Sequence, residues 1–116
     1  MIKITKNKIS MTRGDTLRLL VNLKDGEEDY TPVEGDSIRF AVKGKALNQN
    51  GSDYLDDEPL IVKQVDMSTM LLTLDPADTK SLGFGSYVYD MEITYANGDV
   101  DTFIPPTEFV LTPEVH

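Results

Sequence analysis

Residues 87–99 read YVYDMEITYANGD, and the fold turns on how they are read. Tyr87, Tyr89, Met91, Ile93 and Tyr95 recur at every second position, with Asp90, Glu92 and Thr94 between them. Side chains of a β-strand alternate between its two faces, so this run is a strand with one apolar and one wet face. The adjoining Asn97-Gly98 pair suits a two-residue type I′ hairpin, in which both central residues take positive φ. The strand over 87–95 is therefore expected to pair directly with a strand over 99–104.

The same period of two runs outward along the chain. Leu17, Leu19, Val21 and Leu23 alternate with Arg18, Asn22 and Lys24; Ile38, Phe40 and Val42 alternate with Arg39 and Lys43; Met70, Leu72 and Leu74 share a face. Shorter strands are expected near Ile9–Thr12, Leu60–Val65 and Glu108–Leu111, with Pro105-Pro106 marking a bulge or a change of partner because proline donates nothing to a ladder. Turn signals lie at Lys24-Asp25-Gly26 and Val33-Glu34-Gly35-Asp36. Asp75, Pro76 and Asp78 are the residues of a helix start, which predicts one helical turn near 76–82. Residues 44–58, poor in apolar side chains, read as a loop. These features predict an all-β, antiparallel sandwich of seven to eight strands, forming a single domain over residues 1–116.

Composition narrows the chemistry. The chain carries no cysteine, which excludes disulfides, thiolate catalysis and cysteine-ligated metal. Its net charge is −9, with 20 acidic residues against 11 basic ones, so nucleic acid and anionic membrane are not expected partners. The opening MIKITKNKIS lacks the apolar centre of a signal peptide, and synthesis in the bacterial cytoplasm is the expectation. The single histidine, His116, is the last residue, so no histidine triad or shuttle is expected. Acidic groups cluster at Asp53, Asp56, Asp57 and Glu58 and again at Asp99 and Asp101, without calcium-loop spacing. The expectation is a non-enzyme with no cofactor and no metal.

Two motifs invite functional readings. Arg13-Gly14-Asp15 is the cell-adhesion triplet, yet with Thr16 it also has the make-up of a tight turn, since glycine supplies backbone freedom and Asp15 and Thr16 supply local hydrogen bonds. It is read as a structural turn between two strands. Leu20, Leu71, Val88, Phe103 and Val110 fall out of phase, on faces that should be wet. Several such residues on one sheet would form a patch that needs a partner, and they are the expected protein–protein interface. Loose aromatics (Tyr30, Tyr54 and Phe103) leave open a carbohydrate- or receptor-binding module at a host surface. The acids leave open a small carboxylate-dependent hydrolase, and the triplet a virulence adhesin.

Two resemblances add to this. The stretch Asp75 to Asp90, DPADTKSLGFGSYVYD, resembles the corner of immunoglobulin-like domains, where a helical turn precedes a strand whose first inward tyrosine forms the tyrosine corner. It implies an immunoglobulin-like sandwich with Tyr87 as the corner residue, although the family's cysteines and tryptophan are missing. The second rests on Met11 to Thr16, Glu34-Gly35-Asp36, Asp75 to Thr79, Gly85 to Asp90 and Asn97-Gly98-Asp99 in this order. These resemble small prophage-encoded tail or baseplate proteins of Gram-positive bacteria, and the opening is similar to the N-terminal domain of phage upper-baseplate proteins. The resemblance implies a non-catalytic structural module of a virion, acting by assembly with copies of itself or with other virion proteins.

Overall fold

A computed structural model describes residues 3–5, 7–25, 28–44 and 59–113. Its strands are β1 (Lys3–Thr5), β2 (Lys8–Thr12), β3 (Leu17–Leu20), β4 (Lys24–Asp25), β5 (Glu28–Asp29), β6 (Ser37–Gly44), β7 (Ile61–Gln64), β8 (Leu71–Leu74), β9 (Gly85–Thr94) and β10 (Val100–Thr112). One short helix, α1 (Pro76–Lys80), lies between β8 and β9. A six-stranded sheet runs in the order β1-β2-β10-β9-β6-β7, and a two-stranded sheet, β3-β8, covers it. β4 pairs with β5 over two residues, Lys24↔Asp29 and Asp25↔Glu28, as a separate ladder. Eight strands thus form the two layers of an immunoglobulin-like β-sandwich.

The alternation read from the sequence sets the layers. Tyr89, Met91 and Ile93 of β9, Ile38, Phe40 and Val42 of β6, and Leu17, Leu72 and Leu74 of the small sheet are buried between them. Phe40, Tyr89 and Phe109 form an aromatic centre with ring centroids 5.3, 6.2 and 6.3 Å apart. Burying an apolar side chain of this size contributes about 1.5–3 kcal/mol. The Tyr89 hydroxyl reaches out of the core to donate to the Asn7 carbonyl, and burial pushes its pKa up to about 12.

Two details differ from expectation. The sheet is not wholly antiparallel, because β2 pairs with β10 in parallel, from Phe109↔Ile9 to Thr112↔Thr12. The 95–99 connection is a three-residue loop instead of a two-residue one. Tyr95 N–H donates to Asp99 O at 2.7 Å and Gly98 N–H to Tyr95 O at 2.8 Å. Only Gly98 takes positive φ, at 95°, while Asn97 does not, so the turn is type I closed by a left-handed glycine. The expected β9–β10 pairing stands, from Val100↔Thr94, with register shifts at Thr102/Ile104 and Ile104/Thr107. The second shift holds Pro105-Pro106, where the missing N–H groups have no ladder bond to break.

Candidate interaction surface

The surface is built around the small sheet, because two strands are too few to cover six. In the β3–β8 ladder Leu17 faces Leu74, Leu19 faces Leu72 and Leu20 faces Leu71. Val21 N–H donates to Met70 O at 2.8 Å and continues this register. Hydrogen-bonded pairs alternate with open ones in an antiparallel ladder, so Leu17, Leu19 and Val21 bond toward β8. Arg18 and Leu20 then turn their N–H and C=O groups to the other side of β3. No strand pairs that side among the described residues. In a full immunoglobulin sandwich a first strand lies there, but here β1 folds back on β2 and joins the large sheet.

Leu20 is 62% exposed, and Leu71 beside it is half-buried. Open cross-strand pairs bring side chains closest, so these two leucines make one apolar ridge. A cleft of about 240 Å³ runs along the core side of the free edge, walled by Leu19 and floored by Tyr89, Met91 and Ile104. A second cleft, of about 300 Å³, lies beyond Leu20 against Tyr30, Pro32 and Met70. Met70 takes φ 58°, where the five-residue turn from Asp66 closes with Met70 N–H donating to Asp66 O at 2.6 Å. Asp66 N–H in turn donates to Leu71 O at 3.0 Å, which occupies the far edge of β8. The Asp66 carboxylate accepts from the Ser68 hydroxyl and N–H, which hold its pKa below the usual carboxylate range.

The five out-of-phase residues do not share one face. Leu20 and Leu71 lie together on the outside of the small sheet. Val88 and Val110 lie on the outside of the large one, where Val88 pairs with Glu108, two positions from Val110. Val88 is already buried there. That face carries the ion pairs Lys8–Glu108 at 2.7 Å and Arg39–Glu92 at 3.5 Å. Phe103 sits at the first β10 bulge and packs half-buried against the core. A one-residue bulge reverses the facing of the residues beyond it, which a fixed period of two cannot register.

Arg13, Gly14, Asp15 and Thr16 form the bend between β2 and β3. Asp15 N–H donates to Thr12 O at 3.2 Å, and Gly14 takes φ 85°, a type II turn. The Arg13 guanidinium lies 4.2 Å from the Phe84 ring centroid and donates to Leu82 O at 3.1 Å. Gly14 N–H donates to the buried Thr79 hydroxyl at 2.8 Å. The triplet is held against the α1–β9 connection instead of standing at a loop tip. The Tyr87 hydroxyl donates to Gly83 O at 2.7 Å, four residues upstream, the bond that a tyrosine corner makes.

The other candidates are spread apart. Tyr30 stacks edge-on against Tyr95 at 5.8 Å and its hydroxyl donates to Asp36 at 2.7 Å. Asp99 bonds Asn97, and Asp101 is exposed on β10. No group of three metal-ligating side chains occurs among the described residues. Tyr54, the acids at 53 and 56–58, His116 and most of the 44–58 loop lie outside them. Sequence reasoning missed Arg18, Met91 and Ile104 as parts of a surface. The alternation that marks them is the same whether or not a neighbouring strand pairs with β3.

No family model matches the chain, and no curated protein matches it. Among solved structures it is similar to the crystal structure of CopC from Methylosinus trichosporium OB3b, at 17% identity over 72% of each chain and a TM-score of 0.39. At that distance the similarity bears on neither site nor activity.

Proposed function

We propose that this protein is a non-catalytic interaction module that acts by assembly with another protein. The observation that carries the reading is the Leu20–Leu71 ridge beside the edge of β3 that no strand pairs among the described residues, with a cleft on either side of Leu20. Exposed apolar side chains beside unsatisfied strand backbone favour association, because both gain by leaving water. The motif order from Met11-Thr12-Arg13-Gly14-Asp15-Thr16 to Asn97-Gly98-Asp99 supports placing the module in a phage or prophage tail or baseplate, with virion proteins as its partners.

The test is light scattering of the purified protein across concentration, together with affinity capture from the cells that produce it. The wild-type chain is compared with the Leu20→Asp/Leu71→Asp variant. A defined complex formed by the wild type and lost in the variant is expected. A monomer with no captured partner would remove the reading.

A further inference from the structure

We propose that β3 accepts an extended segment of another polypeptide as an additional antiparallel strand, with an acidic residue opposite Arg18 and apolar residues opposite Leu19 and Leu20. This names the partner of the assembly surface and rests on that reading.

The sandwich offers several strand edges, and they are not equivalent. β1 is three residues long, which gives a newcomer little to pair with. On β7 the core-side Lys63 carries a charge to the edge, with Nζ 3.0 Å from Asp78 and 3.7 Å from Asp75. The hydrogen bond to Asp78 raises the Lys63 pKa, so the charge persists and marks an edge protected against pairing. The far side of β8 is occupied at Leu71 by Asp66. Among the described residues β3 carries no inward charge and nothing covers its free side. Val21 extends its ladder beyond the four residues Leu17–Leu20, and that side borders the cleft floored by Tyr89, Met91 and Ile104.

The register dictates the chemistry of the incoming strand. Its backbone must bond Arg18 and Leu20, whose N–H and C=O groups face it. The residue opposite Leu19 then points to the core side and enters the cleft, which favours a large apolar side chain. Opposite Leu20 a second apolar residue extends the ridge. Arg18 is exposed, and no ion pair of it occurs among the described residues, whereas Lys8, Arg39 and Lys63 each hold a carboxylate. An acid across the pair from Arg18 supplies the missing countercharge. In an antiparallel strand the order is apolar, apolar, acidic. A second copy of this chain fits less well: Leu17–Leu20 contains no acid to set opposite Arg18 when two β3 edges face, and each chain carries a net charge of −9.

The probe is an acetylated, amidated nonapeptide with Leu-Leu-Glu at its centre and threonine elsewhere; its control has lysine in place of glutamate. Amide exchange is followed by NMR on the whole labelled protein. At saturating peptide, exchange at Arg18 and Leu20 is expected to slow at least about tenfold. The lysine peptide should bind about two- to fivefold more weakly, the scale of an exposed ion pair, and Arg18→Glu should reverse that preference. Leu20→Pro removes an outward N–H but no β3–β8 bond, and should abolish binding while the spectrum stays folded.

Unchanged exchange at Arg18 and Leu20, protection at Val62 and Gln64 on β7 instead, or equal binding of the two peptides would overturn the proposal. So would protection that rises with protein concentration alone, which would mean a second copy. If the peptide fails while capture still depends on Leu20 and Leu71, the strand proposal falls and the assembly reading stands. Absence of capture removes the assembly reading whatever the peptide does.

Discussion

The backbone N–H of Gly14 donates to the side-chain hydroxyl of Thr79 across 2.8 Å, joining residues 65 positions apart. Thr79 is fully buried, and Gly14 sits at the left-handed position of the β2–β3 bend. The bond ties the bend to α1, while Arg13 clasps the connection between the helix and β9. An adhesion-like triplet is thereby part of the closure between the two sheets.

Thr79→Val keeps the shape of this side chain but deprives Gly14 N–H of its acceptor. It should cost about 1 kcal/mol, the net scale of one intramolecular hydrogen bond to a half-buried N–H. Urea denaturation of variant and wild type measures this directly. A change within about 0.3 kcal/mol, inside the noise of additive surface effects, would show that the bond does not hold the bend.

Gly35 and Gly98 both take positive φ, at 98° and 95°. A Cβ on Gly35 would lie 2.8 Å from the Ala96 Cβ, whereas nothing lies within 4 Å of one on Gly98. Gly98→Ala should therefore carry backbone strain alone, about 1 kcal/mol, and Gly35→Ala should cost about 1–3 kcal/mol more. Restoring part of the Gly35→Ala loss with Ala96→Gly would identify the clash as the cause. Equal thermal shifts for the two single variants would contradict this.

Asp36 accepts hydrogen bonds from Val33 N–H at 3.0 Å, the Tyr30 hydroxyl at 2.7 Å and Ala96 N–H at 2.9 Å. The Val33 bond first, then Tyr30 and Ala96, hold its carboxyl below the usual carboxylate range. The folded state thus binds fewer protons than the unfolded one in the window below the unfolded value of about 3.9. This stabilisation is complete above that value and is lost as pH falls through the lowered folded pKa. Asp36→Asn should be less stable than wild type at pH 6, with the gap narrowing toward pH 2.5 in denaturation curves. A gap independent of pH would mean that the carboxylate charge plays no part.

Much of this architecture is legible in the alternation at Leu17–Leu23, Ile38–Val42 and Tyr87–Tyr95, because a half-buried strand must separate its side chains by polarity. Asp75, Pro76 and Asp78 likewise announce α1, where Asp78 accepts from Asp75 N–H at 2.7 Å. The loop at Asn97-Gly98 is less legible, since one positive-φ glycine serves both two- and three-residue turns. The interaction surface is the least legible. Leu20 and Leu71 stand out as out-of-phase leucines, but their pairing depends on register between strands 51 residues apart. Val88, Val110 and Phe103 give the same signal and lie elsewhere, because local sequence does not say which sheet covers which.

Site-specific photo-cross-linking in the cells that make the protein tests the assembly claim most directly. A benzophenone side chain replaces Leu20 in one variant and the exposed Asp99, in the hairpin loop, in another. One discrete protein adduct is expected from position 20, absent from position 99 and suppressed by Leu71→Asp. No adduct at position 20, or the same adducts from both positions, would contradict the assembly claim.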